Sequence, residues 1–254
     1  MLFKFKQKPI VVDCFTSDKA AFDLAPIAPV SKFKPKWWKS LDRGGQNVRA
    51  CPAFVNIYQH GFVIPCPIEY SVVVKKIDEK AHPEHYLQEK FLLPDRDPIG
   101  IWVTSGKDRF GFESPTHFHP VEHSLGWKSS THRNLKILTG WRFCCSEYVK
   151  FYMAPMTWDD YQEDDYFVTS GLIDFKYNHS TNIHTWIDIR KEHEFVIPMG
   201  RPMQQIIPLT ERPIKLNLEW IPEIDMDRRA ASYFQGNMIS RGYQKMVGKL
   251  EGRF

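Results

Sequence analysis

The chain has 254 residues, with 34 Lys and Arg against 30 Asp and Glu for a formal charge of +4, and 43% of it is hydrophobic. This composition excludes a disordered or fibrous protein, and the length allows one large domain or two small ones. The charge is too small and dispersed for nucleic-acid binding, and no run approaches the roughly 18 apolar residues of a membrane span.

In chain order, MLFKFKQKPIVVDCF alternates Lys with aromatics and lacks the apolar core of a signal peptide, so a chain that is not secreted is expected. Strand patterns rich in β-branched and aromatic residues then recur between Pro and Gly punctuation. They cover Pro9–Phe15, Ala53–Tyr58, Gly61–Pro65, Ile68–Ile77, Ile99–Ser105 and Leu135–Thr139. In the second half they cover Glu147–Met153, Thr169–Phe175, Ile183–Ile189, Glu194–Ile197, Met203–Ile207 and Ile214–Trp220. Without helical patterns between them, these predict an all-β, mainly antiparallel body, a β-sandwich or jelly-roll-like fold over residues 1–222. Residues 25–47, rich in Pro, Lys and Gly, read as an irregular connection.

In IHTWIDI, Ile183, Thr185, Ile187 and Ile189 share one face of a strand, and His184, Trp186 and Asp188 share the other. From Asp225 to Leu250 the chain lacks Pro and carries Ala, Met, Gln, Arg and Lys. A basic helical tail over 223–254 is expected, capped by Asp225 or Asp227 and interrupted near Gly236, Gly242 or Gly248.

Five cysteines, Cys14, Cys51, Cys66, Cys144 and Cys145, form an odd count with no C-x-x-C pair, so reduced and mostly buried thiols are expected. The densest histidine cluster is His117, His119 and His123, with His132 shortly after. If the segment is a strand, His117 and His119 share a face and can begin a site for Fe, Zn or Mn with His123. If Pro115 and Pro120 break it into a polar loop, no shared face exists. The spacing Gly111, His117, His119 partly resembles the first cupin motif, which would imply a metal-dependent enzyme of the oxygenase class. Glu122 falls one residue early for that motif, and after Pro198-Met199-Gly200 the second motif's histidine is replaced by Met203.

Lys32 to Lys39 interleaves lysines with Trp37 and Trp38, either as a platform for single-stranded nucleic acid or as a loop that tucks both rings onto the body. The second reading needs no partner. Asp159, Asp160, Glu163, Asp164 and Asp165 lack the glycine of a calcium loop and read as a solvated loop. There is no G-x-S-x-G elbow, phosphate-binding glycine loop or zincin helix, and Cys144-Cys145 lies in a strand pattern.

Four islands, KQKPIVVDCFT, KFKPKWWKSL, CPAFVNIYQHGFVIP and FVIPMGRPMQQIIPLTE, resemble an uncharacterised protein family of tailed bacteriophages, especially those of marine bacteria. A more distant likeness is to a bacterial domain of unknown function, through W-x-F, SGLIDF and IHTWIDI. The resemblance implies a β-rich phage protein and carries over no catalytic residue. The leading expectation is a non-enzymatic virion or assembly-associated protein without a cofactor, found in the host cytoplasm during infection or in the particle. It would dock on other virion subunits or itself, with Tyr233, Phe234, Met238, Tyr243 and Met246 of the tail as interface anchors. The competing expectations are the cupin-like metal enzyme and a host-takeover binding protein.

Overall fold

The structure is a computed structural model describing residues 7–42, 47–77, 87–91, 99–106, 116–119, 128, 130–156, 165–176, 180–226 and 229. Among these, fifteen strands form. They are β1 (Ile10–Thr16), β2 (Ala28–Pro29), β3 (Phe62–Pro65), β4 (Tyr70–Lys76), β5 (Leu87–Phe91), β6 (Ile99–Ser105), β7 (Thr116–Phe118) and β8 (His132–Cys144). The remainder are β9 (Lys150–Pro155), β10 (Tyr166–Val168), β11 (Gly171–Asp174), β12 (Ser180–Asp188), β13 (His193–Ile197), β14 (Pro202–Pro208) and β15 (Ile214–Trp220). Two short helices, α1 (Lys19–Leu24) and α2 (Pro52–Ile57), interrupt them.

The all-β, sandwich-like expectation holds, with the strands divided among three sheets. The first runs β10-β12-β8-β1-β15 with β7 also on β8, the second β11-β9-β14-β3-β2, and the third β13-β4-β6-β5. Most pairs are antiparallel. The exception is β1 with β15, parallel from Ile10 opposite Ile214 to Thr16 opposite Trp220. Alternation explains which side chains enter the interior: Ile10, Val12 and Cys14 of β1, Leu135 and Ile137 of β8, and Ile183 and Ile187 of β12 are fully buried. They join Phe62, Phe151 and Ile206 of the second sheet and Tyr70, Val72 and Val103 of the third in one apolar cluster.

The segment Ala53–Tyr58 is not the expected strand but lies mostly in α2. Pro52 opens the helix, where its missing N–H costs nothing, and Phe54 and Tyr58 four residues apart share its buried face. The irregular connection is organised by short 3₁₀ turns, and Trp38 stacks on Phe54 at 5.0 Å with Trp37 beside it at 5.5 Å. Lys32, Lys34, Lys36 and Lys39 face solvent. Both rings thus pack onto the body as half-buried side chains, and Arg49 lies over Trp38 at 5.1 Å.

All five cysteines are thiols: Cys14, Cys66 and Cys145 are buried, Cys144 is half-buried and Cys51 is exposed. Burial pushes the Cys66 thiol up to about 12, against the hydrogen bond to Ile68 O and the charge of Arg201. The C-terminal helical turn opens ahead of the expected Asp225 or Asp227 cap, because the Pro222 carbonyl accepts from the N–H groups of Asp225 and Met226. Arg229 donates to Glu219 at 2.9 Å and lies over the Phe15 ring, so its side chain rests on the outer face of β1 and β15. The expected anchors Tyr233, Phe234, Met238, Tyr243 and Met246 lie outside the described residues.

Candidate functional site

In HRNLKIL the period of two of a strand puts Leu135 and Ile137 on the core face of β8, where both are buried, and turns His132, Asn134 and Lys136 to the other. β7 and β12 flank this stretch. The register sets His117 of β7 opposite Lys136, and His184 of β12 opposite the same Lys136 from the other side. His117, Lys136 and His184 thus form one row across three strands. One row along, the His119 N–H donates to the Asn134 carbonyl at 2.9 Å, and Asn134 lies opposite Trp186.

The two histidines of the His-x-His pair share a face after all, with ring centroids 5.7 Å apart. The His119 ring lies 5.0 Å from His184, and His184 Nδ1 is 3.3 Å from Asn134 Oδ1. The alternation in IHTWIDI puts His184 on one face with Trp186 and Asp188 but does not connect it to the pair, since the connection is made by the β12 to β8 register. His123, Glu122 and Gly111 lie outside the described residues. Met203 is buried in the core after the Pro198–Gly200 turn, and so does not stand where the cupin resemblance requires a ligand.

Burial, with the nearby His119, Lys136 and His117, pulls the His184 imidazole down to about 4. Burial and Lys136 lower His117 in the same direction. His184 is therefore neutral at physiological pH. Further along the face, His132 is buried edge-on to Phe167 at 5.3 Å and opposite Asp188. Burial opposes the Asp188 charge, but hydrogen bonds and charge from Arg190 prevail and hold its carboxyl down to about 2. Asp165, the one described member of the acidic run, pairs with Lys191 at 2.8 Å. Among the described residues no group of three or more His, Cys, Asp or Glu side chains is placed to hold a metal ion. Lys136 stands in the middle of the row, and its charge acts on His117 and His184 in the sense that opposes a cation there.

Two other surfaces stand out. A cleft of about 380 Å³ opens between β15 and β3, lined by His60, Glu211, Arg212, Ile214 and Leu216 among others. Its arginine is already engaged, forked onto Glu147 and bonded to the Lys8 carbonyl at 3.0 Å. On the outer face of the second sheet, Leu172, Tyr152 and Ile207 form a row across β11, β9 and β14, and Leu209 follows beside Lys150. Leu172 and Leu209 are 57% and 58% exposed, and Tyr152 is 40% exposed.

Comparison with protein-family models, curated proteins and solved structures finds no match to this chain.

Proposed function

We propose that the protein is a non-enzymatic assembly module of a tailed bacteriophage, present in the particle or on its assembly path, that docks on a neighbouring protein subunit. The observation that carries this reading is the apolar row of exposed Leu172 and Tyr152 with half-buried Ile207, continued by exposed Leu209. β11 is the edge strand of its sheet, so the row reaches a rim where a neighbour can seat. Aliphatic side chains gathered at such a place lose nothing but water when covered, and each contributes roughly 1.5–3 kcal/mol when fully buried. The phage assignment is supported by the four sequence islands described above.

Mass spectrometry of purified particles tests the reading. The protein is expected in the particle or bound to assembly intermediates, and the paired substitutions Leu172→Asp and Leu209→Asp are expected to reduce its incorporation roughly tenfold or more without unfolding it. A protein abundant in infected cells, absent from particles and intermediates, and indifferent to those substitutions would remove this function.

A further inference from the structure

We propose that His117, His119, Lys136 and His184 form a binding site for a tetrahedral oxyanion of the phosphate class. The row sets Lys136 between His117 and His184, its charge acts on both imidazoles, and the His119 ring stands one row along, within 5.7 Å of one and 5.0 Å of the other. Donors therefore come from three strands and two successive rows. This arrangement surrounds an anion with oxygens in several directions better than it follows the single plane of a carboxylate.

Charge decides between an anion and a cation. The groups acting on His117 and His184 are one another's neighbours and Lys136, all basic. On the same face Asp188 lies four residues along β12 from His184, about 13 Å at the usual strand rise, and it is held by Arg190. Among the described residues Lys136 has no carboxylate partner. An arriving anion supplies a countercharge to Lys136 and favours the protonated rings, whereas a metal ion adds to the repulsion. The site is reached from its His117 end: His117 is exposed, Lys136 and His184 are half-buried, and His119 is half-buried with its Nε2 covered, all backed by the low-dielectric sheet.

The full chain is titrated with inorganic phosphate at neutral pH and constant ionic strength, following heat and the imidazole NMR signals, with acetate and zinc as parallel arms. Saturable phosphate binding that moves the His119 and His184 signals is expected, with acetate weaker. Lys136→Met should weaken phosphate roughly tenfold or more, the loss of one charge-assisted contact. His117→Gln, at the exposed end of the row, provides a second variant if the first fails to fold. Phosphate binding unchanged in a folded variant, acetate binding equal to phosphate, or zinc binding that tightens on loss of Lys136 without any phosphate site would each overturn the proposal. None of these outcomes bears on the apolar docking face, which lies on another sheet.

Discussion

His184 titrates according to what lies across the sheet from it. Its ordinary value is 6.5 and its folded value about 4, because burial and the basic neighbours on β7 and β8 penalise the imidazolium. The unfolded chain takes up a proton as pH falls through 6.5, while the folded chain does so only near 4. Stability from this residue is therefore present above pH 6.5, is lost progressively between 6.5 and 4, and levels off below. His117 and His132 are shifted the same way and add to the loss. The ceiling for His184 is about 3 kcal/mol, and its partial exposure reduces this. Urea unfolding is expected to show a stability loss of about 1–2 kcal/mol between pH 7 and pH 5, and His184→Gln should flatten that slope. Asp188 behaves differently: its carboxyl is depressed from 3.8 to about 2, so its contribution stays intact at pH 5 and is lost only as pH falls from 3.8 through 2. A slope unchanged by His184→Gln would assign the loss to other groups.

Among the elements, those with sustained alternation were legible. The patterns at Pro9–Phe15 and Ile214–Trp220 became β1 and β15 within a residue, and Leu135–Thr139 lies inside the much longer β8. Ala53–Tyr58 reads as a strand because Val55 and Ile57 imitate one, although Phe54 and Tyr58 keep the four-residue helical spacing and Pro52 precedes them. α1 carries a signal of its own, since Asp18 caps it by accepting from the Ala21 N–H at 3.1 Å. Turns supply a test at this scale. Gly200 adopts φ +80° with nothing near its missing Cβ, whereas at Gly61, φ +84°, a Cβ would come within 2.0 Å of the Ile206 carbonyl oxygen on β14. Gly200→Ala is therefore expected to cost only left-handed strain, about 1 kcal/mol, and Gly61→Ala clearly more, as thermal unfolding of the two variants will read. Equal losses would mean that β14 yields freely.

At the scale of the molecule, packing between sheets holds the body together. Phe143 of β8 stacks on Phe175 at 4.7 Å and lies 6.1 Å from Phe62 of β3, while Phe175 touches Phe151 of β9 at 4.7 Å. This aromatic cluster ties the first sheet to the second. Phe143→Ala, in a fully buried position, is expected to cost about 3–5 kcal/mol in urea unfolding, and a loss under 1 kcal/mol would show that the two sheets are joined elsewhere. The parallel pairing of β1 with β15 joins the beginning of the body to its end, and Arg212 reinforces it by bonding to the Lys8 carbonyl while forked onto Glu147.

The amino-acid sequence by itself determined the β character, the inward residues of the long strands, the packing of Trp37 and Trp38 onto the body, and the two faces of β12. Each of these depends on the backbone pleat or on local chemistry, so a window of a few residues contains the whole cause. Only the tertiary structure decided the division into three sheets, the parallel closure of β1 on β15, and the meeting of His117, His119 and His184 around Lys136. Strand neighbours are selected by burial and register between distant segments, a competition that no single segment records.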